Sequence, residues 1–355
     1  MYNVYITTDQ TEWWLSQSGL EDYVIFRDWD EWILQPTHTR ISLVDVVEFN
    51  NTTDQLVANC QQNSALAIVV IIELTDHQWC KTFDFDNVVF FVSGALNYTL
   101  SHAQINFCTY WFWSTTAFYH AFPKVLNLLT AVPKHKYFDV LLGRQKPHRD
   151  QIYDAINKQQ NIVKYFPSHQ DLDITQYNNC NFSWPLEVLP MPAEPVTFTA
   201  QEVVVDGVIV SLSQILPIDI YNQTYYSLVA ETMPDNELTF FTEKILKCLI
   251  AKRLFVVVAG QHYLKNLKEL GFMTFSTVID ESYDLEFDVK KRTELALVQV
   301  EQLCRRDPII ISQQIEAILE HNFQLVMQTN WQEKMCIEIK NCVNRTLGEH
   351  YVYKN

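Results

Sequence analysis

Residues Tyr225 to Gly260 read YYSLVAETMPDNELTFFTEKILKCLIAKRLFVVVAG, and the fold turns on them. An apolar run, Tyr226-Ser227-Leu228-Val229-Ala230, ends at the acid Glu231, and a polar loop follows from Thr232 to Leu238. Ile245, Leu246, Leu249 and Ile250 then recur at helical spacing. Thr242 is placed to cap that helix, and Glu243 puts a negative charge in its first turn, where the helix end is positive. A second apolar run, Leu254 to Ala259, closes at Gly260. Strand, loop, helix and strand in this order predict an open α/β sheet, whose ligands sit beyond the carboxyl ends of its strands. The helix start beside Lys244 is a natural place for a phosphate. The competing reading is a surface helix carrying an ordinary Glu243–Lys244 pair.

The same grammar recurs upstream. Ala65 to Leu74, ALAIVVIIEL, reads as a strand buried on both faces, and its apolar run meets Glu73 and then Asp76. Asn87 to Ser93 is a second such strand, and it meets Gly94 and Ala95. An aromatic segment, Asn106 to Tyr119, is flanked by His102 and His120. Lys136 to Leu142 is a further strand, breaking at a basic loop that contains Arg144, Lys146 and Arg149 before a helix from about Asp150. Charge, loop and helix dipole converge there on a candidate anion site; a solvated turn is the alternative. Downstream, Tyr263 to Leu270 is helical and ends at Gly271, a residue suited to the left-handed helix C-cap. Val289 to Leu303, Ile309 to Met327 and Trp331 to Leu347 complete a helical C-terminal part. Trp13, Trp14, Trp29 and Trp32 offer flat rings that either stack on sugars or fill a core.

Bulk properties narrow the class. The chain has 355 residues, more than one core usually serves, which favours two domains. A net charge of −16 argues against nucleic acid as the main partner, without excluding a local basic pocket for a small anion. The 8 Cys show neither CxxC nor zinc-like spacing, and several sit in apolar periodic stretches, which points to a reducing, cytoplasmic setting. No apolar run reaches the ~20 residues that a membrane span needs. No GxGxxG or Walker-type phosphate loop is present. Asp84-Phe85-Asp86 has the letters of a metal motif but precedes a strand instead of following one.

Three pieces resemble the α-1,3-fucosyltransferase family. Pro147-His148-Arg149-Asp150-Gln151-Ile152-Tyr153-Asp154-Ala155-Ile156 is similar to its segment in which an Arg precedes an aromatic-Asp-Ala-Leu pattern. Ser227 to Thr232 is similar to its strand ending in Phe-Glu-Asn, and Phe241-Thr242-Glu243-Lys244 to its Tyr-Val-Thr-Glu-Lys. Phe255 to Gly260 fits its Val-Pro-Val-Val-x-Gly strand. The likeness covers the C-terminal half well and the N-terminal half poorly.

The resemblance implies an α/β fold of GT-B type, two Rossmann-like domains facing a cleft, with added C-terminal helices. The bounds expected are 1–130 for an acceptor-side domain, 131–330 for a nucleotide-sugar-binding domain, and 331–355 for a terminal helix and tail. It implies an inverting, metal-independent glycosyltransferase that moves a sugar from a nucleotide-sugar to a hydroxyl acceptor such as a glycan, with no further cofactor. Arg149 and Lys244 would contact the donor diphosphate and Glu243 the nucleotide. Arg144, Glu231, Thr232 and Thr242 complete the expected donor side, although Thr232 stands where the family has Asn. The family's proposed base is a Glu in a Thr-Gly-Glu-Asn turn. The corresponding turn here is Ser93-Gly94-Ala95-Leu96-Asn97, and Ala95 takes no proton. Glu73, Asp76 and His102 are the substitutes. Two other readings remain: a GT-B-like binding protein without catalysis, and a glycosyltransferase acting on modified nucleic-acid bases.

Overall fold

A computed structural model of the chain describes residues 1–7, 15, 23–46, 51–71, 78–107, 109–130, 134–142, 146–156, 162–165, 198–199, 202–205, 208–211 and 214–352. The chain forms two compact units. One comprises residues 1–110 and 330–355, the other residues 111–329. The division therefore falls at 110/111, not at the expected 130/131, and the segment from Asn330 onward groups with the N-terminal unit.

The first unit carries β1 (Tyr2–Ile6), β2 (Tyr23–Phe26), β3 (Arg40–Val46), β4 (Leu66–Ile71), β5 (Val88–Val92), β6 (Gly94–Leu96) and β7 (Gln104–Phe107). Six of these strands make one sheet in the order β2-β1-β3-β4-β5-β7, and every pairing in it is parallel. Helices α1 (Trp29–Ile33), α2 (Asn51–Asn63) and α3 (Gln78–Thr82) connect the strands. All six residues of β4 are buried, which explains why its sequence is unbroken Leu, Ala, Ile and Val: a parallel strand covered on both faces has no polar side. Trp32 is fully buried and donates its indole N–H to the Asn3 carbonyl at 2.8 Å, and Trp29 packs against it and Tyr5. Trp32 therefore builds core, and Trp29 lies half-buried against it; Trp13 and Trp14 lie outside the described residues.

The second unit centres on a four-stranded, wholly parallel sheet made of β8 (Lys136–Leu141), β9 (Ile162–Tyr165), β13 (Thr224–Ala230) and β15 (Leu254–Val258), in the order β15-β13-β8-β9. A small antiparallel sheet joins β10 (Phe198–Thr199), β11 (Glu202–Val205) and β12 (Val208–Ser211). A further short strand, β14 (Leu238–Phe240), occupies the end of what the sequence presented as a polar loop, and all three of its residues are buried. The helices are α4 (Tyr110–Ala121), α5 (Pro147–Ile156), α6 (Ile218–Gln223), α7 (Glu243–Ile250), α8 (Tyr263–Glu269), α9 (Val289–Leu303) and α10 (Pro308–Gln328). α7 packs on β13 and α10, while α9 packs on β15 and α5.

Local chemistry sets the ends of these elements. The Thr242 hydroxyl caps α7 by accepting from the Lys244 amide, and Asp288 and Asp307 cap α9 and α10 in the same way. Gly271 follows α8 with φ of +97°, the left-handed turn that only glycine adopts without strain. A last helix, α11 (Trp331–Val352), buries Trp331, Met335 and Ile339 on one stripe and packs on β5 and β7. No helix among the described residues is long and apolar enough to cross a membrane. The fold is thus α/β with parallel, Rossmann-like sheets.

Candidate functional site

β13 lies inside its sheet and is followed by Glu231, whose carboxylate is fully buried. The loop after β13 folds back so that four donors meet that carboxylate. Oε1 accepts from the Tyr263 hydroxyl at 2.8 Å and the Thr242 amide at 3.3 Å. Oε2 accepts from the Thr242 hydroxyl at 2.7 Å and the Thr232 amide at 3.2 Å. Burial pushes the Glu231 pKa up, and Lys244 together with these hydroxyl donors offsets part of that rise. Glu231 is therefore a bracket that ties the strand end to the start of α7, with its oxygens already committed.

Lys244 stands on the solvent side of this bracket. Its ammonium pairs with Glu243 Oε1 at 2.9 Å and reaches the hydroxyls of Thr232 and Thr242, each at 3.2 Å. Glu243 is buried, which raises its pKa, but Lys244 and Lys247 outweigh that effect and hold it below the usual carboxylate value. The Lys244 side chain is 25% exposed, so a ligand can reach it.

α5 brings the second part of the expected site to the same strand end. Arg149 is buried, and its guanidinium donates to the carbonyls of Ala230 and Glu231 at 3.3 and 3.4 Å. The ring of His148 contacts the Glu231 carbonyl through Nε2 at 3.0 Å, and the Lys146 ammonium donates to the Thr232 carbonyl at 2.8 Å. Burial pushes the His148 pKa down to about 4; its bond to the Glu231 carbonyl opposes this, and the neighbouring Arg149 and Lys146 charges reinforce it. The imidazole is thus neutral near pH 7, with Nε2–H as the donor to that carbonyl.

Arg149, Glu231, Thr232, Thr242, Glu243 and Lys244 therefore converge at the carboxyl end of β13. Arg144, Glu73 and Asp76 lie outside the described residues. His102 belongs to the other unit, where it is exposed and donates its backbone N–H to Asp84 at 2.7 Å. Asp84 also accepts the amides of Ser101 and Ala103, so the first acid of Asp84-Phe85-Asp86 serves to hold a loop. Ala95 lines a pocket of about 430 Å³ in that unit with Tyr98, Thr99, Gln104 and Arg345, and the charged side chain there is Arg345.

Three contributors were invisible in the sequence. Tyr263 opens an unremarkable helix, yet its hydroxyl completes the Glu231 bracket. Arg292, part of a basic run, is buried and clamps the loop after β13: it donates to the carbonyls of Pro234 at 2.8 Å, Ala259 at 2.9 Å and Glu286 at 2.5 Å. Beneath the site, Arg253 pairs with Asp139 at 2.6 Å across the sheet and also donates to Ser227 and Thr224. A groove of about 620 Å³ elsewhere in this unit includes Lys268, Glu281 and Asp284 in its lining, but the acids are engaged. Glu281 accepts from Lys268, Thr274 and the Phe275 amide, and Asp284 from the amides of Leu264 and Lys265.

No protein-family model matches the chain, and a search of curated proteins finds no match to it.

Proposed function

We propose that the chain is a glycosyltransferase of GT-B type, whose 111–329 unit binds the diphosphate of a nucleotide-sugar at the carboxyl end of β13. The observation that carries this reading is the convergence there of Lys146, Arg149 and Lys244 around the start of α7, three cations in a chain of net charge −16. Open parallel sheets place their ligands at such strand ends. A helix N-terminus adds a positive dipole for a phosphate.

In the proposed reaction an acceptor hydroxyl oxygen attacks the anomeric carbon from the face opposite the diphosphate. The bond from that carbon to the phosphate oxygen breaks, its electrons leave with the diphosphate, and the hydroxyl proton passes to a base. Lys244 and the α7 dipole stabilise the charge that grows on the leaving group. Glu73, Asp76 and His102 remain the bases to consider. Arg149 supports the site by holding the carbonyls of Ala230 and Glu231, and turns to a phosphate only if it gives up those bonds.

A thermal-shift panel of nucleoside diphosphates and nucleotide-sugars tests the binding step, because a ligand of the native state raises its melting temperature. An assay for transfer or hydrolysis of the donors that bind then tests the chemistry. Lys244→Ala should lower turnover by roughly 10²-fold, as the loss of one charge-stabilising donor does. Absence of any shift overturns the donor reading. Binding with neither transfer nor hydrolysis favours a non-catalytic binding protein.

A further inference from the structure

Lys247 sits one turn beyond Lys244 on α7, on the face that also carries Glu243. It is 6% exposed, and its ammonium has no hydrogen-bond or ion-pair partner among the described residues. The buried arginines around this sheet are engaged, Arg253 at the amino end of β15 by Asp139 and Arg149 at the carboxyl end of β13 by two carbonyls. The nearby acid, Glu243, is bonded to Lys244, so the largely buried Lys247 ammonium has no directly bonded counter-ion, which is expensive unless the group shifts its pKa or meets a ligand. Burial does lower the Lys247 pKa, with Glu243 opposing.

Lys247 and Lys244 together line a crevice of about 40 Å³ with Asp139, Ser227, Val229 and Ala230. A water needs roughly 10–15 Å³ measured this way, so the crevice takes about three waters, or one tetrahedral oxyanion in their place. The acid in its wall, Asp139, is hydrogen-bonded by Arg253, Thr224 and Ser227, and its charge acts on Lys247 less than that of Glu243 does.

We propose that this crevice is an anion subsite for a phosphoryl group, with the Lys247 ammonium as its floor and Lys244 at its mouth. The subsite deepens the donor reading: it rests on that reading only for naming the occupant as a donor phosphate. Its existence as a phosphoryl site does not depend on glycosyl transfer.

Calorimetric titration of the whole protein with inorganic pyrophosphate tests it, comparing the natural chain with Lys247→Met, which keeps the shape and removes the charge. The expected result is saturable pyrophosphate binding that weakens at least tenfold in Lys247→Met. Failure of the natural chain to bind pyrophosphate overturns the subsite, and so does unchanged affinity in the variant. If Lys247→Met does not fold, diffraction from natural protein soaked in tungstate decides. An anomalous peak within hydrogen-bond distance of Lys247 Nζ supports the subsite, and its absence there overturns it. Lys247-dependent pyrophosphate binding without turnover of any nucleotide-sugar leaves the subsite standing while the glycosyltransferase reading falls. Turnover that is indifferent to Lys247→Met does the reverse.

Discussion

The Tyr263 hydroxyl donates a 2.8 Å hydrogen bond to Glu231 Oε1, so the first residue of α8 holds the carboxylate that follows β13. Both groups are buried. Tyr263→Phe removes one of four donors from a carboxylate out of reach of water. It should cost about 1–2 kcal/mol, because an unmade bond to a buried charge is not replaced by solvent. Glu231→Ala strands the Thr242 and Tyr263 hydroxyls together and should cost more. Urea unfolding of both variants checks this, and an unchanged midpoint for Tyr263→Phe would show that the bond adds nothing.

Arg253 and Asp139 form the buried pair beneath the site. The guanidinium reaches Asp139 at 2.6 Å and stacks over Tyr221 at 4.0 Å. Arg253→Met leaves the acid buried and uncompensated, which typically costs about 3–5 kcal/mol. Adding Asp139→Asn should recover much of that loss, since it removes the orphaned charge. If the double variant is no more stable than the single one, burial of charge is not the cause.

His148 makes stability depend on pH in a defined window. Its folded pKa of about 4 lies below the ordinary value of 6.5. Between those two values the unfolded chain binds the extra proton, so this contribution to stability is lost as pH falls from about 6.5 toward 4, and no more is lost below that. The full effect is about 3 kcal/mol from a shift of this size. His148→Gln keeps a donor for the Glu231 carbonyl and cannot titrate. Its stability curve should be flatter than that of the natural chain across this window, and parallel curves would remove His148 as the cause.

Gly260 shows where the sequence was readable in outline but not in reason. The run Leu254 to Ala259 announced a strand ending at a glycine, but not what the glycine is for. A Cβ at that position would collide with the Asp235 carbonyl oxygen and lie 2.7 Å from that of Leu238. The returning loop crosses the strand end at backbone distance. Gly260→Ala should therefore cost about 1–3 kcal/mol or more, as overpacking against an immovable neighbour does. A melting temperature equal to that of the natural chain would contradict the crossing.

Other features sort in the same way by the range of the interaction that creates them. β4, β5 and β15 were legible because an unbroken apolar run is itself the consequence of burial on both faces. α7 was legible from its capping residue Thr242 and its apolar spacing. β14 was missed because Leu238-Thr239-Phe240 is too short to show a period. The Arg253–Asp139 pair spans 114 positions, and no local pattern reports such a partner. Lys247 was passed over because a lysine in an apolar helix reads as one that extends to water, and only the packing of α7 on β13 shows that it does not. Glu73 and Asp76 were named from the end of a strand, and fall outside the described residues.

The return of α11 to the first unit has an effect on how the protein is made. α11 buries Trp331, Met335 and Ile339, packs on β5 and β7, and anchors the Thr109 hydroxyl to the Trp331 carbonyl at 3.2 Å. β5 and β7 therefore lack the helix that packs on them until α11 leaves the ribosome, whereas the sheet β15-β13-β8-β9 lies wholly within residues 111–329 and can close first. Synthesis runs from the N-terminus, but the N-terminal unit is the one that must wait.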